Sequence, residues 1–191
     1  MILYHYSVDS YKSGSTLIND YKKQYKYAEP FILALRQNIE IFMATYYATM
    51  YMSRELVELK LRKYENYRKD AVEAIFEYVR ETEFTKLPSR LNCVYYCESE
   101  ADALSYMEDD CLSDGLFSKD QIKLLEVDVE DARIRVYDQK FYNYAMNEIE
   151  HHDFESVFAN ARKYFSFERT EEPLLEIVAD GQNKIIREIQ Y

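Results

Sequence analysis

The chain opens on strict alternation. Across residues 1 to 8, Ile2, Tyr4 and Tyr6 fall on one side and Leu3, His5 and Ser7 on the other, which is the period of an extended strand. After a loop carrying Ser13-Gly14-Ser15 the period lengthens. From Glu29-Pro30, where proline suits a first helical turn, Ile32, Leu35, Ile39, Phe42, Tyr46 and Met50 recur at steps of three and four. A second stripe, Val57, Leu61, Tyr64, Ala71, Ile75 and Val79, follows Ser53, a candidate N-cap. The two stripes predict a helical hairpin inserted over residues 29 to 81, structural in role, with its ionisable side chains toward solvent.

Past Arg80 the period shortens again. A connector runs to Pro88, and residues 91 to 97 predict a strand that ends at Glu98-Ser99. Ser99 with Asp102 resembles a helix-start box, so a short helix is expected over residues 101 to 107. Asp114-Gly115 marks a turn. Strands are expected at 122 to 129 and 133 to 137, helices near 140 to 149 and 154 to 165, and a last pair of strands at 173 to 179 and 183 to 190. Asp180-Gly181 between that pair is a hairpin signal. The pattern predicts the α+β class as a single domain over residues 1 to 191. It shows neither an internal repeat nor the regular βα alternation of doubly wound folds.

Composition narrows the chemistry. The sequence has 191 residues with 20 Tyr but only 3 Gly and 3 Pro, so it lacks the clustered glycines of a P-loop or a dinucleotide-binding turn. Tyrosine in such numbers predicts an aromatic core with polar margins. A formal net charge of −11 repels nucleic acid and anionic lipid, while leaving room for a small anion held by a local cation. Cys93, Cys97 and Cys111 form no CxxC pair. On a strand Cys93 and Cys97 would lie about 13 Å apart, too far to bridge or to share a zinc ion. The odd count fits a reducing cytoplasm, and no apolar run reaches the roughly 20 residues of a membrane span.

Three separated segments carry polar groups within strand-like surroundings. They are Leu3-Tyr4-His5-Tyr6-Ser7, then Ser89-Arg90-Leu91-Asn92-Cys93-Val94-Tyr95-Tyr96-Cys97, and Leu174-Leu175-Glu176-Ile177-Val178. Each residue has an ordinary structural explanation: a terminal-strand histidine, a capping serine beside a solvated arginine, packed tyrosines, a glutamate facing water from an edge strand. Their common order along the chain suggests a shared pocket instead. Arg90 has the planar fork that pairs with phosphate oxygens. Tyr95 and Tyr96 point to opposite faces, so only one can line a pocket. Glu172, at the mouth of the last strand pair, competes with Glu176. The adjacent His151-His152 would point about 100° apart on a helix and make a poor metal site. No Gly-x-Ser-x-Gly elbow is present for a serine hydrolase.

The motif order resembles the ADP-ribosyltransferase fold of the His-Tyr-Glu type, in a bacterial or phage branch. That resemblance implies a split mixed or antiparallel sheet and NAD as cosubstrate without a metal. It gives His5 the nicotinamide-side ribose with Ser7 as a polar neighbour, and places Ser89, Arg90 and Tyr95 or Tyr96 in the NAD pocket. Glu176, with His5, is the expected catalytic pair. Cleavage of the nicotinamide–ribose bond develops positive charge on the sugar, which a carboxylate stabilises. No Ser-Thr-Ser triplet stands in the second motif, so an arginine-specific subclass is not expected. The acceptor is open, with a protein favoured over a nucleic acid. The rival expectation is a non-catalytic module whose acidic, Tyr-rich helical hairpin binds a protein partner or a second copy of the chain.

Overall fold

A computed structural model describes residues 1–9, 11–19, 21–59, 67–108, 112 and 117–191. Leu61, Tyr64, Cys111 and the Asp114-Gly115 turn lie outside these residues. The chain divides into two compact units, each built from discontinuous segments. The strand unit gathers Met1–Asn19, Asn92–Val136 and Leu175–Tyr191, and the helical unit gathers Asp20–Leu91 and Tyr137–Leu174. The class is α+β, as the pattern predicts.

The alternating segments form two sheets. The first is ordered β1 (Ile2–Ser7), β4 (Lys123–Asp128), β7 (Asn183–Ile189) and β2 (Thr16–Leu17); the second is β3 (Val94–Tyr96), β6 (Leu175–Ala179) and β5 (Ile134–Asp138). The pairings β1–β4, β4–β7, β2–β7 and β3–β6 are antiparallel. Their apolar faces meet in one cluster that includes Leu3, Val94, Tyr96, Leu125, Val127 and Ile177. The predicted helix box is present: Ser99 caps α4 (Glu100–Met107) by accepting from the Asp102 amide. The predicted hairpin at Asp180-Gly181 is not. Gly181 does adopt the turn conformation, at φ 78°, but β6 and β7 on either side belong to different sheets. Both strands are apolar enough to find partners elsewhere, and tertiary pairing overrides the local turn signal.

The predicted two-helix insertion is three helices, α1 (Tyr21–Gln37), α2 (Ile39–Glu58) and α3 (Tyr67–Glu83), followed later in the chain by α5 (Lys140–Glu150) and α6 (Phe154–Phe165). Pro30 sits inside α1 rather than at its start, where it removes one backbone donor. The break between the first two helices comes at Asn38, whose side chain accepts from the Ile41 amide; Ser53, read as a cap, is a buried residue within α2. Edge-on aromatic contacts fill this unit, among them Phe42 on Phe154 at 5.5 Å and Tyr46 on Phe154 at 5.3 Å. No described helix is long and apolar enough to cross a membrane.

Ile39 departs from its predicted place in the stripe. It is 43% exposed at the first position of α2, so Ile39→Asp meets water and the positive end of the helix dipole. That variant is expected to change stability by no more than about 0.5 kcal/mol, whereas Phe42→Ala in the buried aromatic cluster should cost about 3–5 kcal/mol. Urea unfolding of the two variants checks the contrast.

Candidate active site at the strand split

Beyond their shared apolar cluster, one isolated backbone bridge joins the two sheets among the described residues. Tyr4 of β1 exchanges both backbone hydrogen bonds with Cys97, just past the end of β3, at 3.0 and 2.8 Å. In a regular antiparallel ladder the next such pair would be Tyr6 with Tyr95, two residues on in each strand. That pair is not formed. Instead the His5 Nδ1 lies 2.8 Å from the Tyr95 carbonyl oxygen, so a side chain takes the acceptor that the backbone would have used. The imidazole thereby occupies the gap where β1 and β3 part, half-buried, with the Tyr6 ring stacked at 6.2 Å and the Tyr96 ring tilted at 6.0 Å.

This contact fixes the chemistry of His5. Loss of solvation pushes its pKa below the ordinary histidine value, and the bond to the Tyr95 carbonyl only partly offsets that. A neutral imidazole facing a carbonyl must carry its proton on Nδ1. Nε2 is then left as a hydrogen-bond acceptor for a hydroxyl.

Register decides between the two tyrosines. Tyr95 stands opposite Val178 and Tyr96 opposite Ile177. Since side chains alternate along β6, Glu176 shares its face with Val178 and therefore with Tyr95. Tyr96 belongs to the apolar cluster, its hydroxyl buried beside Asn183; burial pushes the phenol pKa up, and the Asn183 amide opposes this weakly. Glu176 is buried, at 8% exposure, within a strand of apolar residues. Glu172 is exposed ahead of β6, so the buried carboxylate next to the tyrosine face is Glu176. Ser7 is half-buried at the end of β1, its hydroxyl accepting from the Asp9 amide at 3.1 Å.

Arg90 lies in the helical unit, 5% exposed, in a single turn of 3₁₀ helix rather than at a solvent-facing strand start. Its guanidinium donates to Glu73 at 3.3 and 3.4 Å and to the Tyr164 hydroxyl at 2.5 Å, with the Tyr142 and Tyr164 rings 4.5 and 4.9 Å from the cation. Ser89 is likewise committed, donating to Glu77 at 2.7 Å while Arg80 holds the same carboxylate from the other side at 2.8 Å. Nothing local in the sequence marks this. The signal was the pair Glu73 and Glu77 on the apolar side of α3, where carboxylates need buried cations. The two adjacent histidines also lie in the helical unit. His152 takes a positive φ of 59° ahead of α6, and its ring packs edge-on against Tyr47 at 5.1 Å. Among the described residues no group of three or more His, Cys, Asp or Glu is placed to hold a metal ion.

Two measurements follow from this geometry. Arg90→Ala strands Glu73 in the aromatic interior and is expected to destabilise the protein by about 3–5 kcal/mol in urea unfolding, since one member of a buried pair is removed. His5 binds its proton more weakly folded than unfolded. Its contribution to stability is therefore complete above the unfolded value near pH 6.5 and is lost as pH falls from there through the folded pKa. Melting curves between pH 7.5 and 5 for wild type and His5→Gln should diverge in that window, and a nitrogen-15 spectrum at pH 7.5 should show the Nδ1–H tautomer.

No curated protein matches the chain. One family profile does, from the second half of β1 to the last residue, and it covers both units together with His5's neighbour Tyr6, Tyr95 and Glu176. Matching over residues 6–191, the chain belongs to DUF2441, a family described as a protein of unknown function.

Proposed function

We propose that the protein is an NAD-dependent transferase of the ADP-ribosyltransferase type, acting in a reducing cytoplasm on an acceptor more readily protein than nucleic acid. The observation that carries the reading is the adjacency of three strands: β1 bridges to β3 and β3 pairs with β6, so His5, Tyr95 and Glu176 come from consecutive strands, with Tyr95 and Glu176 on one face and the His5 ring reaching the Tyr95 carbonyl from the Tyr96 side. Strands that lie side by side in this order support the reading.

In this reading Nε2 of His5 accepts a hydrogen bond from a hydroxyl of the nicotinamide-side ribose, Tyr95 supports the nicotinamide ring, and Glu176 faces the sugar. The glycosidic carbon–nitrogen bond breaks with its electron pair passing to the pyridinium nitrogen, which leaves as neutral nicotinamide. The carboxylate of Glu176 stabilises the positive charge that develops on the ribose. An acceptor O–H or N–H then attacks the same carbon, and its proton passes to Glu176. Arg90 and Ser89, engaged with Glu73 and Glu77, have no part in this account, so the pyrophosphate is held without them. The protein's net charge of −11 disfavours an anionic ligand such as NAD, and binding in the micromolar to millimolar range of ordinary substrates is expected.

A second reading rests on a different observation. Tyr51 and Met52 are each 64% exposed and Leu59, directly after α2, is 67% exposed, an apolar face suited to a protein partner or a second copy.

The tests separate the two. Addition of about 1 mM NAD should raise the melting temperature, and Glu176→Gln should preserve folding and NAD binding while lowering nicotinamide release about 100-fold or more. Glu172→Gln should change release little. No stabilisation by NAD and no nicotinamide release in wild type would remove the enzymatic reading and leave the interaction surface.

A further inference from the structure

In a chain that is 31% charged, α2 carries no charged side chain from residue 41 to residue 53. One side of that stretch is buried, through Phe42, Tyr46, Met50 and Ser53. The opposite side, Ile41, Ala44, Ala48, Tyr51 and Met52, follows the same steps of three and four and lies open to water. Ile41 is 38% exposed, and Tyr51 and Met52 are each 64% exposed. The outer face of a surface helix is ordinarily charged or polar. Here the first charges on either side are Glu40 and Arg54, both exposed, and among the described residues neither takes part in an ion pair.

We infer that this face of α2 is the contact between two copies of the chain, packed antiparallel about a two-fold axis near the middle of the helix. The inference deepens the second reading given above and stands apart from the enzymatic one. Along the face the order is the same from either end: a charge, a large apolar side chain, two alanines, large apolar side chains, and the opposite charge. Reversing one helix against the other sets Ile41 on Met52 at both ends, with alanine on alanine between them, where the backbones can approach closely. Glu40 and Arg54 are separated by about four turns, roughly 21 Å, so they stand on one flank of the helix. In an antiparallel pair equal flanks face each other, and Glu40 of each copy meets Arg54 of the other, twice over. A parallel pair would set Glu40 on Glu40. Glu55 reaches the first turn of the other copy's α2, the positive end of its dipole. Each copy carries a net charge of −11, which opposes association, and a stretch free of charge lets two copies approach with less repulsion than a charged one. A single helix pair buries less than the roughly 1,200 Å² of a standard interface, so a reversible dimer that dissociates at micromolar concentration is expected.

Sedimentation equilibrium of the full chain tests this between about 1 and 200 μM, a range that brackets such a dissociation constant. Wild type should pass from monomer to dimer, and Ala48→Glu should remain monomeric throughout while melting as dilute wild type does. Glu40→Arg and Arg54→Glu should each weaken the dimer about tenfold, and the double variant should restore it, because the pairs re-form with their charges exchanged. If Ala48→Glu does not fold, the charge exchange alone decides. A soluble nitroxide should broaden the Met52 methyl resonance in dilute protein and spare it in concentrated protein. A wild type that stays monomeric, with Met52 broadened at every concentration, overturns the inference and leaves the face to a different protein. A dimer indifferent to Ala48→Glu or to the charge reversals overturns it as well. If Met52 is not broadened even in dilute protein, the face is not open, and the interaction reading falls together with the dimer.

Discussion

The strand unit depends on one side chain taking a backbone partner. Where β1 and β3 would continue as a ladder, the His5 imidazole claims the Tyr95 carbonyl, and the sheet opens at that point. A backbone acceptor left empty there would cost about 1–3 kcal/mol, so the split requires an internal donor of the right length. Asparagine could reach the carbonyl but would present no second nitrogen beyond it. Histidine closes the ladder with one ring nitrogen and offers the other to whatever enters the gap, which makes the break in the sheet and the polar character of the site a single feature.

The helical unit solves a different problem with the same kind of residue. Its α3 carries two carboxylates toward the interior, and each is met by an arginine lodged among aromatic rings or backbone carbonyls. Delocalised guanidinium charge tolerates such surroundings better than an ammonium would, because its faces can lie against tyrosine and phenylalanine while its edge donates. The abundance of tyrosine is used here: Tyr164 stacks on Tyr137 at 4.2 Å and also hydrogen-bonds Arg90. Phenylalanine could fill the space but could not complete the bond.

How much of this was legible in the sequence differed by the range of the interaction. Alternation placed β1, β4 and β5 within a residue or two, and the Ser99 cap was correct to the residue, because both signals are local. The Asp180-Gly181 turn was read correctly as a turn and wrongly as a hairpin, since the partner of a strand is chosen by surfaces far along the chain. Arg90 was misplaced for the same reason. Its neighbours in sequence are strand-like, and its energetic partners, Glu73 and Tyr164, stand 17 and 74 residues away. Glu176 against Glu172, and Tyr95 against Tyr96, could not be separated until register and burial were known.

The pairing of β1 with β4 has a consequence for how the chain is made. Its first strand finds its ladder partner at Lys123–Asp128, and its bridge at Cys97, so Leu3 and His5 have no sheet to join until those distant segments are made. At about 5–20 residues per second the amino-terminal strand waits on the order of 10 s before its neighbours leave the ribosome. The helices between close contacts local enough to form in that interval, while the second sheet needs β6, near the carboxyl end, before β3 is covered. The contact held by His5 therefore waits on a segment about 90 residues further on, and a nascent chain exposes an unpaired, tyrosine-rich edge until that segment arrives.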